Sequence, residues 1–210
     1  MPARIECLLK FLWKNRKTVQ HLNFVCNANN KKILIDFRKI DERNSRVGET
    51  RNLRAFFHET GHLFDHQAYS PKTTIYDHLI STGFNDILKQ DYLNYANNIL
   101  TSNGLSAISD FNALSHKAID LLSDDLRFDE HLRSSVSDMI HGLTNEQVFG
   151  EYGHFKPGYW NRVPVAKETI AGMFEGWMTN NERAIILQKY FPNAYKQFLE
   201  AIMKMEARNP

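Results

Sequence analysis

The sequence predicts an α+β chain, predominantly helical, with one small sheet. Three observations carry that reading. Apolar residues recur at helical spacing through most of the chain from about residue 73 onward. One short run, "KKILIDF" at 31–37, has the apolar and β-branched character of a strand. The chain's 210 residues, 42% hydrophobic and 24% charged, suffice for one domain with a sizeable core, so 1–210 is read as a single domain.

Taken in order, residues 3–20 place Ile5, Leu8, Leu9, Leu12 and Trp13 on one side of a helix and Lys and Arg on the other. The strand at 31–37 runs into a polar loop, "RKIDERNSRVGET". Thr50 or Asn52 is placed to cap the next helix, which carries "LRAFFHETGHLFDHQAYS" and stops before Pro71. "TIYDHLISTGFNDILKQDYLNYANNIL" gives one or two helices with a break at Gly83. "LSAISDFNALSHKAIDLLSDDL" gives another after Asn103-Gly104, and "DEHLRSSVSDMIHGL" one more, ended by Gly142. "GEYGHFKPGYWNRVP" at 150–164 is rich in Gly, Pro and aromatics and reads as a loop. Two helices close the chain: "VAKETIAGMFEGWMT" and, after Asn180-Asn181 and Pro192, "NAYKQFLEAIMKMEAR".

Charge narrows the partners. A net charge of +2, from 26 basic and 24 acidic residues, gives no electrostatic case for nucleic acid or an acidic membrane. No apolar run approaches the ~20 residues of a membrane helix. The N-terminal "IECLLKFLWKNRK" is interrupted by Lys10 and lacks a small-residue cleavage site, unlike a signal peptide. Cys7 and Cys26 are too few for a disulfide framework. The expected location is cytoplasmic.

The chemistry concentrates in "AFFHETGHLFDH", residues 55–66. Three histidines, a glutamate and an aspartate follow two phenylalanines, and polar groups in apolar surroundings need partners. His58 and His62 are four apart, so on a helix both imidazoles face one side and can reach one ion. Glu59 lies beside that pair, where a carboxylate can hold and deprotonate a metal-activated water. This is the His-Glu-x-x-His arrangement of zinc hydrolases. Nine His and 12 Glu placed at random would give the pattern in roughly 2% of such chains, so its surroundings matter. Phe56, Phe57, Leu63 and Phe64 make the helix apolar around the polar pair, and Gly61 implies a close neighbour, because a mid-helix Gly otherwise costs about 1 kcal/mol relative to Ala.

A catalytic zinc takes a third protein ligand and keeps one position open. Asp65 shares the face of His58 and His62, but one straight helix does not easily wrap three side chains around a tetrahedral ion. Asp65 is read as an acceptor that fixes an imidazole through its N–H, and His66 as a polar helix residue. The third ligand is expected from a distant helix, where "KETIAGMFEGW" offers Glu168 and Glu175. They are seven apart, on about the same face, and spacing does not choose between them.

With these residues in place, "HETGHLFD", "ETIAGMFEGWMTNNE" and "KYFPNAYKQFLEAI" together resemble the gluzincin metallopeptidases of the anthrax lethal factor type, and related peptidase domains of phage and prophage minor head (head-morphogenesis) proteins. The resemblance covers about residues 31–70 and 135–207. It implies a zincin-like fold and Zn²⁺ held by His58, His62 and Glu168, with Glu59 as general base and acid. Gly172 falls where the family often has an outer glutamate, a role open to Asp65 or Glu175. "YGHFKPGYW" resembles a Tyr-Gly-His … Tyr-Trp signature of the phage-type members, which makes Tyr152, His154 and Tyr159 candidates to stabilise an oxyanion, Tyr159 favoured by its nearness to the glutamate. Trp160 is read as a core anchor. The long gap between His62 and Glu168 makes residues 72–135 a helical insertion, which carries an acidic cluster at Asp124, Asp125, Asp129 and Glu130.

The expected function is zinc-dependent peptide-bond hydrolysis, with a peptide or protein substrate extended along the edge strand of the small sheet and a phage or prophage origin. The alternatives are a non-proteolytic zinc-binding structural or receptor module of a phage head protein and a toxin protease with a single target, and a virion-associated place is the alternative to a cytoplasmic one. A fourth protein ligand such as His66 or His154 would mark a closed structural site.

Overall fold

The computed structural model describes residues 25–27, 32–34, 57–62, 64, 68–70, 73–115, 117, 121, 135–146, 158–179 and 182–206. The expected helix at 3–20, the caps Thr50 and Asn52, the acidic cluster at 124–130, and Asp65, His66, Tyr152 and His154 lie outside them. The described residues are mostly helical, and their strands form two small two-stranded antiparallel sheets.

β1 (Val25–Asn27) pairs with β2 (Lys32–Leu34), Cys26 opposite Ile33. α1 occupies 57–62, with Phe64 also helical. The helix does not continue through Ser70 as the sequence suggested: β3 (Ala68–Ser70) pairs with β4 (Thr73–Thr74). Pro71 explains the change, because its ring drives the preceding Ser70 out of the helical region. α2 (Ile75–Ser81) starts at a capping box, in which Thr74 Oγ1 accepts from the Asp77 N–H at 3.0 Å and Asp77 Oδ2 accepts from the Thr74 N–H at 3.2 Å. Gly83, at φ +81°, separates α2 from α3 (Phe84–Ser102), the break expected there.

The following helix begins later than its apolar pattern implied. Residues 105–110 are irregular, held by Asn97, whose side chain accepts from the Ile108 N–H at 2.7 Å and donates to the Ile108 carbonyl at 2.9 Å. Asp110 then caps α4, described over 111–115 with 117 and 121 also helical, by accepting from the Ala113 N–H at 2.8 Å. α5 (Ser135–Leu143) ends one residue past Gly142, where the sequence placed its end. Asn145 and Glu146, both at positive φ, form the turn that follows. α6 (Val165–Thr179) has the predicted bounds. Three helices close the chain rather than two, because α7 (Glu182–Tyr190) precedes α8 (Pro192–Glu206). The consecutive apolar run Ala184–Leu187 hides α7's period: Leu187 and Tyr190 are buried while Ile185 is exposed.

One apolar cluster runs from Phe64 to Ile202. α2 and α3, from the segment read as an insertion, give it Ile75, Leu79, Phe84, Leu88, Tyr92 and Leu100, so burial assigns them a core role. α6 packs against α5, α7, α2 and α8, which places it centrally. No helix among the described residues is long and apolar enough to cross a membrane.

Candidate metal centre

α1 and α6 meet through residues at one constant offset. His58 faces Glu168, Gly61 faces Ala171, and Phe64 stacks on Phe174 with ring centroids 4.8 Å apart. Each pair differs by 110 positions and the pairs advance by three, so the two helices run in the same direction. The fit is tightest at the middle pair. A Cβ on Gly61 would stand 2.6 Å from Ala171 Cα, closer than any real contact. Gly61 therefore sets the helix separation that lets the polar pairs meet, the packing reason its place in the sequence implied.

The two imidazoles converge on one carboxylate oxygen. His58 Nε2 lies 3.2 Å and His62 Nε2 3.4 Å from Glu168 Oε2. The rings stand edge to face, 5.0 Å between centroids. One ligand atom from each of His58, His62 and Glu168 falls within 4.8 Å of the others. Glu168 is buried at 5% exposure, whereas the imidazoles keep about a fifth of their surface. The donor set thus has an anchored side and an approachable side.

The wider surroundings are charged and aromatic. His58 Nδ1, the nitrogen turned away from Glu168, lies 3.7 Å from Oε2 of the buried Glu175. Glu168 is within hydrogen-bond distance of one ring nitrogen of His58, and Glu175 stands farther from the other. Tyr159 donates its hydroxyl to Glu168 Oε1 at 2.8 Å, which leaves Oε2 for the imidazoles. Glu59 is half-buried on α1, and its charge acts on both His58 and Tyr159.

Titration follows from these contacts. Burial pushes the Glu168 carboxyl up, but hydrogen bonds and charge from His58 and His62 outweigh it and hold the group well below the usual carboxylate range. For His58, burial favours the neutral ring, yet Glu168, Glu59 and Asp138 together raise its pKa above 6.5. Burial, then the charge of and the hydrogen bond to Glu168, and lastly Asp138 and Glu59, hold the Tyr159 phenol far above its ordinary value, so it keeps its proton.

Two Nε2 atoms and an ionised carboxylate oxygen are the donor types of hydrolytic zinc sites, and a cation among them would relieve a buried negative charge. Sequence reasoning passed over two members of this neighbourhood, Asp138 and His141, both buried on α5. The signal was present in "SVSDMIHGL", an Asp and a His three apart in an apolar helix, the same kind of anomaly that marked His58 and His62. Comparison with protein-family models, curated proteins and solved structures finds no match to this chain.

Proposed function

We propose that this chain is a zinc-dependent peptidase with a zincin-like fold, of the gluzincin type its motifs resemble. The supporting observation is that three donors from positions 58, 62 and 168 gather within 4.8 Å with Glu59 beside them. His58, His62 and Glu168 would hold the ion, and Glu175 would fix the His58 ring through Nδ1. When bound, zinc lowers the pKa of a water in its open position toward ~7 and polarises the scissile carbonyl.

The chain's own groups do the rest. Glu59 takes the proton of the attacking water and delivers it to the leaving amine. Tyr159, kept protonated by its surroundings, donates its one hydroxyl proton to Glu168 Oε1 and so orients that carboxylate. Glu168, ionised across the working pH range, supplies a fixed negative charge that keeps the imidazoles oriented. A peptide or protein is the substrate this chemistry fits.

Glu59→Gln keeps the shape of the carboxylate but not its basicity. The variant should retain zinc and lose about 10²–10⁴-fold in turnover of a peptide library. Undiminished turnover would remove Glu59 from the mechanism.

A further inference from the structure

We infer that the C-terminal turn of α5 is a dock that holds Gly158–Trp160 and thereby fixes the Tyr159 hydroxyl on Glu168, with His141, Gly142 and Glu146 as positioning residues. The dock's effect on metal binding rests on the zinc reading above; the dock itself exists in the chain without metal.

Two hydrogen bonds join the turn to the segment on either side of Tyr159. Glu146 Oε1 accepts from the Gly158 N–H at 2.9 Å. His141 Nδ1 accepts from the Trp160 indole N–H at 3.1 Å. An indole nitrogen only donates, so the His141 ring carries its proton on Nε2. Gly142 completes the seat. A Cβ there would stand 2.8 Å from Trp160 Cε3 and 2.8 Å from Val165 Cγ2, so the indole occupies the space a side chain would need. Trp160 meets the Tyr159 ring edge to face at 5.1 Å, and Tyr159 reaches Glu168.

The backbone of the turn is unusual in a way that serves this contact. Asn145 and Glu146 lie at φ 51° and 69°, a left-handed region where non-glycine residues are strained. The Glu146 N–H donates to the His141 carbonyl at 2.8 Å, which folds the turn back over the end of α5. Glu146 and His141 thus come to one side, facing Gly158 and Trp160.

The consequence lies at the carboxylate. With Oε1 taken by Tyr159, Glu168 presents Oε2 to both imidazoles. Releasing the dock frees Tyr159, and Glu168 with it, so the donor set loses its preset shape. Outer partners of metal ligands are worth about 10–100-fold in metal affinity.

The test measures zinc affinity by chelator competition, together with hydrogen exchange of the metal-free protein. Tyr159→Phe should weaken zinc binding about tenfold or more. Trp160→Phe keeps an aromatic ring but removes the N–H and part of the indole, and should weaken binding in the same direction. Combined with Tyr159→Phe it should add nothing, because both act through one hydroxyl. Glu146→Ala should behave like Trp160→Phe, while Glu146→Gln, which keeps an acceptor oxygen, should bind as the unaltered chain does. In the metal-free protein, Glu146→Ala should speed exchange in Gly158–Val163 and leave α3 unchanged. Independent, additive losses from Trp160→Phe and Tyr159→Phe would overturn the inference, as would unchanged exchange at Gly158 in Glu146→Ala. If the unaltered chain binds no zinc, the zinc reading fails, and the exchange measurement still decides the dock.

Discussion

Asp91 and Glu168 are both buried carboxylates, at 1% and 5% exposure, and they are held by different kinds of donor. Asp91, on α3, caps α8 from 102 positions away. It accepts from the Asn193 N–H at 3.0 Å, the Ala194 N–H at 2.9 Å and the Asn193 side-chain amide at 2.7 Å. Pro192 opens that helix without an N–H of its own, so Asp91 meets the first donors that exist. Every partner is an uncharged N–H, and two of the three belong to the backbone. Glu168 instead faces two imidazoles and a phenol, side chains that can turn, exchange protons or bind a cation. Burial alone does not distinguish a structural acid from a site; the chemistry of the donors around it does.

Exchanging the two acids for alanine should separate them most sharply. Glu168→Ala should lower zinc affinity by more than about a hundredfold, beyond what loss of an outer partner costs. Asp91→Ala should leave zinc binding unchanged and instead cost about 1–3 kcal/mol in urea denaturation, because buried N–H groups at the start of α8 lose their acceptor. A zinc defect in Asp91→Ala, or none in Glu168→Ala, would erase the distinction.

Gly61→Ala sharpens it further. The new methyl would meet the Ala171 backbone, which has no flexible end to give way, so α1 and α6 must part. Stability should fall by about 1–3 kcal/mol, and zinc should bind more weakly, since the same spacing sets the distance from His58 and His62 to Glu168. Loss of stability with intact zinc affinity would show that helix separation does not control the centre.

The smallest effect is on pH. Without metal, the raised His58 pKa stabilises the fold fully below about pH 6.5, and that contribution fades as pH rises through the raised value. The depressed Glu168 pKa stabilises fully above about pH 4.5, and its contribution fades as pH falls below that. The pair therefore helps most between about pH 4.5 and 6.5. Zinc needs a neutral imidazole, so its affinity should climb by up to about tenfold per pH unit as pH rises toward the raised His58 pKa and level off above it. A flat profile would mean that His58 binds no metal.

What the sequence could reveal follows the range of the forces involved. The approach of His58 to His62 was legible because a helix converts spacing into proximity by itself. Glu168 was not selectable over Glu175 by spacing, because the choice depends on the parallel contact of α1 with α6, a tertiary fact signalled only by Gly61; the family resemblance pointed to Glu168. Gly142 marked the end of α5 within one residue, but nothing local showed that its missing side chain also seats Trp160. Ala68–Ser70 looked helical until Pro71 and Thr73–Thr74 are weighed as a hairpin. The dock was hidden for the same reason as the cap at Asp91: each joins residues far apart in the chain through contacts that no local pattern encodes.

Metal content tests the central claim most directly. Purified protein, freed of metal with a chelator and then equilibrated with zinc and desalted, should carry one zinc per chain by mass spectrometry, and His58→Ala should carry essentially none. A folded chain that retains no zinc, or a His58→Ala variant that retains as much as the unaltered protein, would contradict the account.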